Sequence, residues 1–159
     1  MPNDEPLNDS TQDLTKRPFQ RILVGLDSSN QASEITKLVA HLAKAFNSNV
    51  IVCNVVNVVT SVEGNEVDGS PVTRDERKSH DAIEEMIHKE CGDDAAAGQV
   101  EIKILHGDPA ERIVEYAEFS NSDLIVVGSR GQGALKRALL GSVSSAVVAK
   151  TKKSVLIMK

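Results

Sequence analysis

At 159 residues the chain is long enough for one domain to bury a core without metal or disulfide staples. Hydrophobic residues make up 40% of it, with no Trp and one Tyr, so the interior is aliphatic and little aromatic surface is left for stacking bases. A net charge of −5 lacks the basic footprint of a nucleic-acid binder, and the sequence shows neither a bilayer-length apolar run nor a signal peptide, so a cytoplasmic protein without a membrane segment is expected.

Residues 1–17 are polar, carry Asp4, Glu5, Asp9 and Asp13, and have no apolar periodicity, which predicts a flexible tail ahead of a domain over 18–159. Ile22-Leu23-Val24-Gly25-Leu26 then reads as a buried strand that ends at Asp27 and the turn-forming Ser28-Ser29-Asn30. Ile35, Leu38, Val39, Leu42, Ala43 and Phe46 recur at spacings of three and four, one face of an amphipathic helix that stops at Asn47-Ser48-Asn49. A second apolar strand spans 50–56, and a connection with Gly64, Gly69 and Pro71 leads to a helix over about 73–91. That helix offers only Ala82, Ile83, Met86 and Ile87 for burial, so most of its surface belongs in water.

Val100 to Leu105 alternates apolar and charged residues, the pattern of a half-buried strand near a sheet edge. His106-Gly107-Asp108-Pro109 follows, with Asp108 as N-cap and Pro109 at the first position of a helix that buries Ile113, Val114 and Ala117. Residues 123–128 form a fourth strand, 142–150 a helix and 154–158 a fifth strand. Strands alternating with helices predict right-handed crossovers and a parallel sheet covered on both faces, with any ligand outside the carboxyl ends of the strands. Asp27 and Gly128 both fall at such ends.

The chemistry concentrates after strand four, in Gly128-x2-Gly131-x9-Gly141-Ser142. Glycines let backbone N–H groups turn toward an anion, and a helix opening at Ser142 adds a partial positive charge and a hydroxyl donor. The layout is that of a phosphate cradle and predicts a nucleotide site, with Ser144 and Ser145 as further donors; Ser144 on solvated helix surface is the competing reading. No Lys followed by Ser or Thr closes the loop, so it is not a Walker P-loop, and no catalytic base for phosphoryl transfer is evident. Arg130, Lys136 and Arg137 could steady phosphate charge or simply face water. Asp27 suits a ribose hydroxyl or a metal-bound water, or else caps the next helix.

These residues, with the Gly107-Asp108-Pro109 turn, resemble the universal stress protein family over nearly all of 19–159. The intact glycine spacing resembles its ATP-binding branch. That resemblance implies an adenine nucleotide alpha hydrolase-like fold, a single-domain five-stranded parallel sheet in the order 3-2-1-4-5. It also implies Asp27 near the adenosine, Val55 against the adenine, and the glycine loop with Ser142 around the phosphates of ATP, with Mg as companion ion. Family members typically dimerise by pairing the last strand, here Ser154–Met158, although Ser154 stands where the family often has proline.

The resemblance implies an ATP-binding, nucleotide-responsive regulator with protein partners. A slow ATPase or autophosphorylating enzyme and a nucleotide-free scaffold are the alternatives. Elsewhere the bland readings prevail. His80, Glu84 and His88 share a charged helical face without an H-E-x-x-H motif and read as solvated, His106 as a loop or core hydrogen-bonder, Cys53 as strand core and Cys91 as a helix end.

Overall fold

A computed structural model describes residues 18–27, 29, 31–56, 74–91, 100–130 and 140–159. Its elements are β1 (Arg21–Gly25), α1 (Ala32–Phe46), β2 (Asn49–Val56), α2 (Arg74–Cys91), β3 (Val100–His106), α3 (Pro109–Phe119), β4 (Leu124–Gly128), α4 (Ser142–Lys150) and β5 (Ser154–Met158). The strands form one sheet in the order β3-β2-β1-β4-β5, every pair parallel. This is the order that the resemblance implies. The strand sequence reverses between β1 and β4, where Ile22 stands beside Leu124 and Gly25 beside Val127.

Alternation along the strands divides the core into two layers, because successive side chains of a strand point to opposite faces. Ile22, Val24, Val50, Val52, Leu124 and Val126 face α1 and α2, meeting Ile35, Val39 and Ile83. Leu23, Ile51, Cys53, Ile125 and Val127 face α3 and α4, meeting Ala110, Ile113, Ala117 and Val147. The central strands therefore read as unbroken apolar runs, as strands covered on both sides must.

Local chemistry sets the element ends. Asp108 caps α3 as expected, its Oδ1 accepting the Glu111 N–H at 2.9 Å ahead of Pro109. Asn47 ends α1 in the left-handed region at φ 52°, its N–H donating to the Ala43 carbonyl. On α2 the expectation fails at Ala82, which is exposed, while Ile83 is buried and Met86 and Ile87 pack against the α1 layer. Among the described residues no helix is long and apolar enough to cross a membrane.

Candidate functional site

The carboxyl ends of β1 and β4 lie side by side at the point where strand order reverses, the place where open sheets of this kind form a binding crevice. On the β1 side, the Leu26 N–H donates to the Cys53 carbonyl at 2.9 Å, and the Leu26 carbonyl accepts from Asn54 Nδ2 at 2.9 Å. These bonds fasten the start of the loop to β2. Asp27 follows, exposed, with Oδ1 accepting the Ser29 N–H at 3.0 Å in a local Asx turn. Asp27 is therefore not the cap of α1, whose N-cap position is held by Gln31 with no side-chain cap. The Ser29 hydroxyl oxygen is buried without a hydrogen-bond partner among the described residues.

On the β4 side, Ser129 is buried and acts as a junction. Its N–H donates to the Met158 carbonyl at 2.6 Å, and its own carbonyl accepts the Gly141 N–H at 2.6 Å. The chain thus leaves β4 and returns to α4 at the same point. Ser144, 2% exposed, donates its hydroxyl to the Gly141 carbonyl at 3.1 Å and toward the Ser129 carbonyl at 3.5 Å. The solvated reading of Ser144 is overturned, because its side chain braces the two stems of the loop from inside.

α4 begins at Ser142, and its first helical bond runs from the Ser145 N–H to the Gly141 carbonyl. The N–H groups of Ser142, Val143 and Ser144 come before that bond, and no acidic residue lies in the first turn. The start of a helix attracts anions through its dipole and its first-turn N–H groups. Ser142 itself is exposed at this end.

One residue of the crevice has no sequence signal. Gln31 reaches across from the start of α1, and its Oε1 accepts the Arg130 N–H at 3.3 Å. The same oxygen would lie 2.8 Å from a Cβ placed on Gly128, with Ile35 Cδ1 at 3.3 Å, so a side chain at 128 would have to move the Gln31 amide aside. Gln31 lies 99 positions from Arg130, and nothing in its own neighbourhood separates it from ordinary helix surface.

Asp27 and Val55 each stand two residues beyond the Gly25–Cys53 pair, at the same edge of the sheet. Val55 is half-buried beside Leu105 and packs on the α3–α4 layer. Arg130 is exposed. Gly131, Lys136 and Arg137 lie outside the described residues, as do the tail over 1–17 and the connection over 57–73.

Other candidates stay apart from the crevice. His106 ends β3 on the sheet's far edge, beside Val56. His80 Nδ1 lies 3.9 Å from Asp81 Oδ1 and 3.8 Å from Glu84 Oε2, all on one turn of α2, and His88 is not in that group. Cys53 is fully buried beneath the α3–α4 layer, where burial first, and then the Glu101 charge, push its thiol up to about 12.

An open parallel sheet whose strand order reverses between β1 and β4, with helices on both faces, defines a doubly wound α/β protein. Residues 18–159 match the universal stress protein family, and the chain belongs to it. It is 31% identical over 141 residues to the universal stress protein MJ0531 of Methanocaldococcus jannaschii, covering 89% of this chain and 82% of that one. Among solved structures, that of MJ0577, whose biochemical function was assigned from its structure, is similar at a TM-score of 0.68 and 31% identity, over 89% of this chain and 96% of the other. A universal stress protein in complex with cAMP is similar at a TM-score of 0.64 and 25% identity, over 89% and 98% of the two chains.

Proposed function

We propose that this protein binds an adenine nucleotide, ATP with Mg, in the crevice between β1 and β4, and acts as a homodimeric, nucleotide-responsive stress regulator. The observation that carries this reading is the closure of Ser129 on Gly141, which sets the glycine loop's stems beside the acid-free start of α4. The cAMP bound by a similar protein supports the adenine class of ligand.

The donor set fits a nucleotide. The first-turn N–H groups of α4, the Ser142 hydroxyl and the backbone at Gly128, Arg130, Gly131 and Gly141 would hold phosphate oxygens, and the Arg130 side chain would add charge. Asp27, exposed at the end of β1, would accept from a ribose hydroxyl or from a water on Mg. Val55 would lie against the adenine. Ser144 enters as a brace of the loop, since its hydroxyl is engaged with Gly141 and Ser129.

What a triphosphate supplies is charge that must be met by several N–H groups at once. Binding would order the glycine loop in one arrangement, and a partner that prefers that arrangement would read the ligand through a shift in population. Homodimerisation is assigned to β5. Its sequence Ser154–Met158 carries no charge along an unpaired edge, whereas the opposite edge, β3, carries Glu101 and Lys103, the kind of residues that block edge pairing.

Isothermal titration of nucleotide-stripped protein with Mg-ATP, beside a Gly131→Asp variant, tests the reading. Saturable binding near one ATP per chain, lost in the variant, is the expected result. Absence of heat from folded, stripped wild-type protein overturns ATP as the ligand, and steady release of phosphate above background would replace the regulator with an ATPase.

A further inference from the structure

We infer that Gln31 is a positioning residue of the crevice, a side-chain stand-in for a phosphate oxygen that sets how strongly the loop discriminates nucleotides by their phosphate count. The inference rests on reading the crevice as a nucleotide site and adds to it a residue that the glycine pattern does not contain.

Three observations carry it. The Gln31 Oε1 accepts the Arg130 N–H at 3.3 Å, so a neutral acceptor from α1 occupies a backbone donor of the glycine loop. The same oxygen fills the space that a side chain at Gly128 would take, 2.8 Å from an ideal Cβ. Gln31 is held in place at its backbone, where its carbonyl accepts the Ile35 N–H at 2.9 Å as α1 begins. The amide head is therefore presented to the loop from a fixed base on a fifteen-residue helix.

A phosphate oxygen that takes the Arg130 N–H must displace the Gln31 oxygen, because both are acceptors and the donor has one hydrogen. The amide competes with the ligand at that point, and only with a ligand that carries phosphate there. The competition weakens phosphate binding and leaves nucleoside binding unaffected. A carboxylate at the same position would compete more strongly and would also repel the phosphate charge through a short distance.

Two substitutions of similar length separate the elements of this argument. Gln31→Met keeps the bulk near Gly128 and removes the acceptor, and Gln31→Glu keeps the acceptor and adds a negative charge. Dissociation constants for Mg-ATP, AMP and adenosine would be measured on wild type and on both variants, with thermal unfolding of the protein without added ligand as the check on folding. The expected result is ATP binding about threefold to tenfold tighter in Gln31→Met, the range set by loss of one competing neutral hydrogen bond. In Gln31→Glu, ATP should bind about tenfold weaker or worse, AMP should lose less, and adenosine should stay within about twofold in both variants.

Equal changes for ATP and adenosine would reduce Gln31 to a packing residue and overturn the inference. So would unchanged ATP affinity in both variants, or weaker ATP binding in Gln31→Met. If wild-type protein binds neither ATP nor adenosine, the nucleotide reading fails and this one with it, whereas intact wild-type binding with any of the preceding outcomes removes only the role of Gln31.

Discussion

At Gly25 the last residue of β1 passes so close to α3 that a Cβ would sit 2.8 Å from Ile113 Cδ1 and 3.2 Å from Val127 Cγ1. Ile113 is itself buried, so its side chain has little room to swing aside. Gly25→Ala should therefore cost about 1–3 kcal/mol, the usual penalty of overpacking, read as a lower urea midpoint at constant slope. Cys53 gives a second prediction at this scale. Its thiol is raised from the ordinary 9.0 to about 12 by burial, so the folded protein holds the proton more tightly than the unfolded chain does. That contribution to stability is complete below pH 9 and is lost as pH climbs toward 12; a Cys53→Ala variant should lose stability less steeply over that window in denaturant titrations. In a Cys91→Ser background, Cys53 should react with a thiol reagent only on unfolding. Single residues were unevenly legible in the sequence. Cys53 in a run of β-branched residues announced itself as core, but Ser144 did not, because its burial depends on the Ser129 carbonyl fifteen residues away. Gln31 was out of reach for the same reason on a larger scale.

Among the elements, α3 carries its start signal in the open. Asp108→Ala removes the acceptor of the Glu111 N–H and should cost about 1 kcal/mol, measured by the shift in thermal midpoint. α2 is harder to read, and its one misread position shows why. The face it buries runs Ile83, Met86, Ile87 and Glu90, a stripe at helical spacing that excludes Ala82 and ends on a charge. Glu90 is 9% exposed, accepts the Ser33 hydroxyl at 2.7 Å and pairs with Lys37 at 3.1 Å, so a residue that composition assigns to water joins α2 to α1. The Ser33 hydrogen bond, and then the Lys37 ammonium, lower the Glu90 carboxyl below its ordinary range. A lowered carboxyl stabilises the fold above the ordinary carboxylate range and ceases to do so as pH falls through its folded value. The thermal midpoint of wild type should accordingly drop more between neutral and acid pH than that of Glu90→Gln. The existence of α1 was legible from periodicity and that of α3 from its start signal; the partners across α1 and α2 were not, since they are fixed by how the two helices pack.

For the whole molecule, alternating strands and helices were enough to predict a parallel sheet covered on both faces. They do not rank the strands, and the order 3-2-1-4-5 came with the family resemblance. Once ranked, the two edges differ in chemistry. On β3, Lys103 pairs with Glu101 at 2.6 Å on a strand half in water, while β5 offers Val155, Leu156, Ile157 and Met158, all half-covered. Sedimentation at micromolar concentration should give twice the 17.1 kDa chain mass, and Ile157→Lys should return it to the single chain. Ser129 gives the edge a further consequence. Its two backbone bonds run to Gly141 ahead of α4 and to Met158 at the end of β5, so the candidate site and the edge strand share one residue. If the proposed ligand and the proposed self-association both act through this residue, reciprocity makes each change the other by the same factor. Nucleotide affinity would then depend on how concentrated the protein is, and under the proposed regulator reading cellular abundance would itself be an input.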